Sequence, residues 1–125
     1  MFQGLRTVIY GVADIEKAKR WYTEALGFAP YFDEPFYVGF NVGGYELGLD
    51  PNATPVSKAS AGVLAYWGVE DITAEFKRLL ALGAKAHGAV QEVGDGISVA
   101  TVLDPFGNIL GLIHNPHFKI AENPL

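Results

Sequence analysis

Gly11-Val12-Ala13-Asp14-Ile15 returns 57 residues later as Gly68-Val69-Glu70-Asp71-Ile72, and each copy joins an apolar, strand-like run to a helix-like run. A second pair of segments closes the two halves, because residues 44–49 (GYELGL) are matched 63 residues later by residues 107–112 (GNILGL). Internal similarity at a nearly fixed spacing marks supersecondary units that bury a face against each other. The chain is therefore predicted to contain two copies of one unit, with the functional site between them.

Each half has the same predicted order of elements, βαβββ. Asp14 is a good N-cap for a helix with apolar residues at helical spacing, and Gly27 is a typical residue for its C-terminal end. Asp71 takes the place of Asp14 in the second half, where the helix is predicted to end near Gly83. Strands are predicted at 5–12, 28–32, 36–42 and 45–50, and again at 62–69, 86–93, 97–103 and 108–114.

The length of 125 residues fits a single domain, residues 1–125. Unit one is predicted at about residues 5–50 and unit two at about residues 61–115. A polar segment with two prolines, residues 51–60, reads as a connector, and residues 116–125 form a C-terminal tail without periodicity.

Composition excludes several classes of function. The formal net charge of −5 and nine scattered basic residues argue against a nucleic acid partner. The absence of cysteine excludes disulfides, thiolate catalysis and thiolate metal sites. No apolar run is long enough to span a membrane, and nothing at the amino terminus resembles a secretion signal, so we expect a cytoplasmic protein.

Two segments resemble the vicinal oxygen chelate superfamily, which includes glyoxalase I, bleomycin resistance proteins and extradiol dioxygenases. They are residues 12–28, which end in Trp21-Tyr22-Thr23-Glu24-Ala25-Leu26-Gly27-Phe28, and residues 104–112, which begin with Asp104-Pro105-Phe106-Gly107-Asn108. The resemblance implies an α+β fold in which two βαβββ units form an open, U-shaped cleft from mixed sheets, with the helices outside. It also implies a homodimer.

Metal-using relatives place one ligand on the first strand and one on the last strand of each unit. The resemblance and the two repeat spacings carry these positions to Thr7 and Gly48 in the first unit and to Leu64 and Gly111 in the second. A divalent metal site needs three or four His, Asp or Glu donors, and these four positions supply none. The prediction is that the chain uses no metal cofactor, although another register would make Glu46 a single ligand of an atypical site.

Aromatic residues are dense between residues 28 and 45, in strands expected to curl over one side of the cleft. Alternation puts Phe36 and Phe40 on one strand face and Tyr37 on the other, and the sequence leaves open which of the two faces meets a ligand. Because Gly48 and Gly111 carry no side chains, they are expected to leave a roomy, aromatic-walled slot. The predicted ligand-binding residues are Thr7, Ile9, Phe36, Tyr37, Phe40, Glu46, Gly48, Asp50, Leu64, Tyr66 and Gly111.

Two functions of different classes follow from this pattern. The first is a metal-independent protein, similar to the bleomycin resistance proteins, that binds a small aromatic or amphipathic organic molecule in the cleft between the units. The alternative is a lyase, isomerase or other enzyme of the superfamily, dependent on a metal in an atypical site or metal-free and working through Tyr66 or Glu46 as the candidate catalytic residues. The sequence leaves open whether the protein is an enzyme.

Overall fold

Two βαβββ units follow one another along the chain in the computed structural model, which describes residues 1, 3–53 and 64–118. The first unit consists of β1 (Thr7–Gly11), α1 (Ile15–Leu26), β2 (Phe32–Glu34), β3 (Tyr37–Val42) and β4 (Tyr45–Asp50). The second consists of β5 (Tyr66–Gly68), α2 (Ile72–Ala81), β6 (Lys85–Gly94), β7 (Ile97–Leu103) and β8 (Ile109–His114). None of the helices within these ranges is long and apolar enough to cross a membrane.

Each unit forms its own four-stranded mixed sheet. The strand order is β1-β4-β3-β2 in the first sheet and β5-β8-β7-β6 in the second. In both sheets the first strand of the unit pairs in parallel with the last strand, and the other pairings are antiparallel. The predicted α+β fold of two βαβββ units with mixed sheets is confirmed.

The predicted helix starts are also confirmed. The Asp14 side chain accepts a hydrogen bond from the backbone N–H of Lys17 at 3.1 Å, and the Asp71 side chain accepts one from Ala74 at 3.0 Å. Gly27 ends α1 in the left-handed conformation, with φ of 87°, a geometry that glycine adopts without steric cost. Both helices are therefore bounded by residues that were identifiable in the sequence.

Several strand boundaries differ from the prediction, since β1 begins at Thr7 and β5 at Tyr66, and the largest error is at β2. Residues 28–32 were expected to be a strand and Asp33-Glu34-Pro35 a turn, whereas β2 covers Phe32–Glu34. These residues pair antiparallel with β3, so Asp33 and Glu34 extend the sheet despite their low strand propensity. The first residues of the predicted strand 62–69, most of the connector and the end of the tail lie outside the described residues.

A single hydrophobic core lies between the sheets and the helices. Alternate residues of β1, β3 and β4 face α1, and alternate residues of β7 and β8 face α2. The buried apolar residues are Tyr10, Val12, Ala18, Tyr22, Ala25, Val38, Phe40, Leu47, Leu49, Ile72, Leu79, Ala84, Ala100, Val102, Leu110 and Leu112. The opposite faces of the sheets are left for other contacts.

The two helices are joined by a reciprocal pair of hydrogen bonds. Trp21 of α1 donates its indole N–H to the carbonyl of Leu82 at 2.8 Å, and Arg78 of α2 donates to the carbonyl of Ala25 at 2.8 Å. Trp21 and Arg78 are 57 residues apart in the sequence, and so are Ala25 and Leu82. The repeat spacing is therefore also the spacing of the contacts that join the units.

The first strands of the two units meet in the same way. The indole N–H of Trp67 in β5 donates to the hydroxyl of Tyr10 in β1 at 2.9 Å, and these two residues are again 57 positions apart. Burial raises the pKa of the Tyr10 phenol to about 12. Trp21 and Trp67 are both partly buried and pack against the hydrophobic core.

A buried carboxylate connects the second unit to the first. Asp104, 4 % exposed, accepts backbone N–H bonds from Phe106 and Asn108 at Oδ1 and bonds from the Tyr22 hydroxyl and the Asn108 amide at Oδ2. The Asn108 amide also donates to the carbonyl of Gly11 at 2.8 Å. Asp104 therefore holds both its own turn and α1 of the other unit.

Replacing Tyr22 with Phe should lower the free energy of unfolding by about 2 kcal/mol, because a hydrogen bond to a buried charge contributes that order of stability. The measurement is urea denaturation followed by circular dichroism. Tyr66→Phe is the control, since this tyrosine is half-exposed and its substitution should change stability by less than about 0.5 kcal/mol. Equal stability of the two variants would contradict the role given to the Tyr22 hydroxyl.

Candidate functional site

The face of each sheet turned away from the helices, here called the cleft face, carries most of the residues expected to bind a ligand. In the first sheet Thr7 pairs with Glu46, which pairs with Asn41 on the next strand. The neighbouring row consists of Ile9, Gly48 and Gly39. These rows alternate with the buried residues, so they belong to the cleft face.

The open question of which aromatic face meets the cleft is settled by burial. Phe40 is 0 % exposed and packs near Tyr22 and Phe28, in the core beneath α1. Phe40 must therefore be removed from the predicted ligand-binding residues. Tyr37 lies on the cleft face, and Phe36 is an exposed side chain that precedes β3.

Two phenols converge on one carboxylate in the first sheet. The hydroxyls of Tyr31 and Tyr37 donate to Oε1 and Oε2 of Glu46, respectively. Burial and the bond to Glu46 raise the pKa of Tyr37, and the same carboxylate raises the pKa of Tyr31 mainly through its hydrogen bond. We call these three residues the Glu46 cluster. It keeps both phenols protonated and fixes a carboxylate on the cleft face.

The glycines expected to leave an open slot are covered by tyrosine side chains. A Cβ at Gly48 would lie 2.6 Å from Cζ of Tyr37, which crosses this position to reach Glu46. A Cβ at Gly111 would lie closest to the carbonyl oxygen of Ala65, and 2.8 Å from Cδ1 of Tyr66. The expected empty floor is therefore wrong at both positions, because Gly48 makes room for a tyrosine ring and Gly111 for a backbone carbonyl and the edge of a tyrosine ring.

The residues present do not fit the divalent metal of the family. Thr7, Gly48, Leu64 and Gly111 provide no carboxylate or imidazole, and residues 1, 3–53 and 64–118 contain no group of three or more His, Cys, Asp or Glu side chains that could hold a metal ion. Glu46 therefore belongs to no group of three such donors among the described residues. We therefore derive no chemical step through a metal.

The three histidines have other contacts. The Nδ1 atom of His87 lies 2.8 Å from the hydroxyl of Thr101, and Nδ1 of His114 lies 3.1 Å from the carbonyl of Val69. His117 uses Nε2 to contact the carbonyl of Asp95 at 2.7 Å. None of these contacts brings a histidine to the Glu46 cluster.

The remaining predicted site residues differ in their surroundings. Ile9, Leu64 and Tyr66 are 46 %, 41 % and 42 % exposed. Ile9 and Tyr66 directly precede Tyr10 and Trp67, so strand alternation turns them to the cleft face. Asp50 ends β4 and accepts a hydrogen bond from the backbone N–H of Asn52 at 2.8 Å, which makes it part of a turn.

A shallow depression of about 220 Å³ lies at one end of the first sheet. Its lining residues are Arg6, Thr7, Tyr31, Asn41, Gly44, Tyr45 and Glu46. The prediction placed the site between the units, whereas every residue of this depression belongs to the first unit. Arg6, Tyr31, Asn41 and Tyr45 were missed; only the strand register, in which Asn41 and Thr7 flank Glu46, could have indicated one of them.

The two mixed four-stranded sheets, one from each βαβββ unit, place this chain in the class of proteins built from paired βαβββ units. The family model described as Glyoxalase/Bleomycin resistance protein/Dioxygenase superfamily matches residues 4–112, and the chain belongs to this family. The resemblance stated from the sequence is thereby confirmed. Among the curated proteins, none matches this chain.

Several solved structures share the fold. A glyoxalase-related enzyme from Fulvimarina pelagi is 24 % identical, with a TM-score of 0.75 over 96 % of this chain and 94 % of that one. A lactoylglutathione lyase from Agrobacterium tumefaciens is 18 % identical, with a TM-score of 0.70 over 94 % of this chain and 98 % of that one. A glyoxalase/bleomycin resistance protein/dioxygenase family enzyme from Burkholderia phytofirmans PsJN is 18 % identical, with a TM-score of 0.71 over 86 % and 95 % of the two chains. At these identities the likeness establishes the fold alone.

Replacing Glu46 with Gln should increase tyrosinate formation between about pH 10 and pH 11, because the negative charge that raises the pKa of Tyr31 and Tyr37 is removed. Burial still raises the pKa of Tyr37 in this variant, so the pKa of Tyr31 should return closer to its ordinary value than that of Tyr37. The measurement is ultraviolet absorbance against pH, with circular dichroism to verify that the fold persists. Glu24→Gln on the exposed side of α1 is the matched control, and identical titrations of the two variants would contradict the cluster.

Replacing Gly48 with Ala should displace the Tyr37 ring and lower the free energy of unfolding by about 1–3 kcal/mol, the usual range for overpacking. Gly68→Ala is the control, since a Cβ there meets no atom within 4 Å. Adding Tyr37→Ala to Gly48→Ala should remove the clash, so the two substitutions should be non-additive in chemical denaturation. Additive losses would mean that Tyr37 does not occupy the space above Gly48.

Proposed function

We propose that this protein binds a small organic molecule with a flat apolar part on the cleft face, without a metal at the positions used by metal-dependent relatives. The observation that carries the proposal is the exposure of Ile9, Leu64 and Tyr66 beside two glycines that offer no metal donor. Exposed apolar side chains that together form a contiguous patch are typical of binding surfaces, and this proposal places these three residues in such a patch. A ligand that covers them gains the free energy of removing apolar surface from water, about 25 cal/mol per Å².

Aromatic side chains of the first unit support the same proposal. Tyr31, Phe32 and Phe36 are exposed, and Phe32 has rings of Phe36 and Tyr37 at centroid distances of 6.1 Å. Rings at such distances form a stable aromatic surface on which another flat group can stack. The preferred ligand in this proposal is therefore aromatic or amphipathic instead of purely aliphatic.

An enzyme of this family is the second candidate, and the Glu46 cluster is the observation that favours it. A carboxylate with two protonated phenols can accept and return a proton at a bound molecule. Tyr66 lies on the other unit and carries no such partner in the contacts of the described residues. If a ligand is found, analysis of the mixture for product separates an enzyme from a binding protein.

The proposal also includes the homodimer and the cytoplasmic location that were expected from the sequence. Family resemblance favours a homodimer, and the exposed apolar side chains provide surface that a second copy could cover. Light scattering coupled to gel filtration should give twice the mass of the 125-residue chain. A cytoplasmic location is proposed on the same footing.

The binding proposal is tested by a thermal-shift screen that pairs aromatic compounds with saturated analogues of the same carbon number. Compounds that bind only the folded state raise the melting temperature by mass action, and the aromatic member of each pair should do so more strongly. Tyr66→Ala and Ile9→Ser should weaken binding in calorimetry, whereas Lys77→Ala on the exposed side of α2 should not.

Two results would contradict the proposal. The first is a failure of binding at the expected residues: no compound of any pair stabilises the protein, or the Tyr66→Ala variant binds the aromatic compounds as tightly as the wild type does. The second is loss of binding after dialysis against a chelator, with recovery on adding a divalent metal, which would contradict metal independence.

A further inference from the structure

Arg6 is one of the residues that line the depression in the first unit, and its guanidinium has no anionic partner among the described residues. Its guanidinium donates to the carbonyls of Gln3 and Leu5 at 3.1 and 3.4 Å and to the side-chain oxygen of Gln3 at 3.3 Å. All three acceptors are neutral. In the part of the chain that the structure describes, no carboxylate lies within 4.0 Å of this guanidinium, since the ion pairs there involve Lys19 and Arg78.

Glu46 brings a negative charge to the same depression, and its hydrogen-bond donors are neutral as well. The phenols of Tyr31 and Tyr37 hold its two oxygens in place without cancelling the charge. Two carboxylate oxygens provide about four lone-pair positions, so two remain for a ligand. Arg6 and Glu46 thus have complementary charges, each fixed by uncharged partners.

A backbone hydrogen bond makes these two charged residues neighbours, and no ion pair between them is present. The N–H of Glu46 donates to the carbonyl of Arg6 at 2.7 Å, which fixes the spacing of the two residues. Thr7 and Asn41 flank Glu46 in the strand register and line the depression with it. The surface therefore presents a cation, an anion and neutral polar groups in a volume of about 220 Å³.

From this arrangement we infer that the depression binds the α-amino and α-carboxylate groups of a free amino acid with an aromatic side chain. Arg6 receives the carboxylate, for which the planar guanidinium is well suited, and Glu46 receives the ammonium group. Tyr31 and Tyr45 also line this depression, and in this proposal their rings provide an apolar contact for the side chain. This inference rests on the proposed function and specifies the chemical class of the molecule bound.

A zwitterion explains the arrangement better than an ion of a single charge. An anion at Arg6 would meet the carboxylate of Glu46, and a cation at Glu46 would meet the guanidinium of Arg6. Each of these approaches costs Coulomb energy at the short distances within one depression. A molecule that carries both charges on neighbouring atoms avoids both penalties.

The test compares four probes by isothermal titration calorimetry with the whole chain. They are L-phenylalanine, 2-phenylethylamine without the carboxylate, 3-phenylpropionate without the ammonium group, and uncharged 3-phenylpropanamide. Phenylalanine should bind at least about tenfold more tightly than either singly charged probe, because each lost contact is a hydrogen bond between charged groups. The preference should decrease as salt is added.

Two variants test which residue binds which charged group of phenylalanine. Arg6→Gln should make phenylalanine and phenylethylamine bind equally, and Glu46→Gln should make phenylalanine and phenylpropionate bind equally. Arg20→Gln and Glu24→Gln, on the exposed surface of α1, are the matched controls and should leave the order of the four probes unchanged.

Equal binding of all four probes, or the absence of any phenylalanine binding, would overturn the inference. So would an Arg6→Gln variant that weakens every probe by the same factor, since the guanidinium would then not distinguish the carboxylate. If phenylalanine binds no more tightly than the other probes, while uncharged aromatic compounds bind and Tyr66→Ala abolishes their binding, the proposed function survives and the inference fails. If aromatic compounds stabilise the protein no better than their saturated analogues, the proposed function fails as well.

Discussion

The buried carboxylate of Asp104 is the interaction on which the arrangement of the two units depends. A charge removed from water is tolerated only when its oxygens are fully hydrogen-bonded, and here four donors surround it. One donor, the Tyr22 hydroxyl, comes from the helix of the first unit, and Asn108 reaches onward to the carbonyl of Gly11. Three of the four donors belong to the turn itself, and the fourth joins this turn to the helix of the other unit. The same carboxylate therefore stabilises both the local turn and the contact between the units.

The same coupling explains why the fold could be predicted from the sequence. The 57-residue spacing relates Trp21 to Arg78 and Tyr10 to Trp67, and these residues make the contacts between the units. Helix starts and ends follow from local chemistry, an aspartate at each N-cap and a left-handed glycine after α1. These signals depend on residues close in sequence or at a constant spacing. A single chain displays both without any knowledge of its tertiary structure.

The site was predictable only in part, because its geometry depends on strand register and side-chain rotamers. Alternation divided Tyr37 from Phe40 correctly but gave no reason to assign either to the core, which required the position of α1. Gly48 indicated free space, yet its space belongs to a tyrosine on the neighbouring strand. Arg6 lies before β1 and approaches Glu46 through a backbone hydrogen bond that no sequence pattern indicates. Pairing with β3 likewise drew Asp33 and Glu34 into a strand against their local preference.

The repeat duplicates the fold but not the charged depression. The 63-residue spacing that relates Gly48 to Gly111 carries Glu46 to Ile109, which has no carboxylate, so the second unit lacks the residue at the centre of the Glu46 cluster. A metal site that takes ligands from both units requires equivalent positions to remain polar, and here both closing positions are glycines covered by tyrosines. A charged pair within one unit does not require polar residues at the equivalent positions of the other unit. The charged residues are therefore found in the first unit, whereas the apolar residues Ile9 and Tyr66 are exposed at equivalent positions of the two first strands. The two units therefore share exposed apolar residues on their first strands, whereas the charged depression is lined by residues of the first unit.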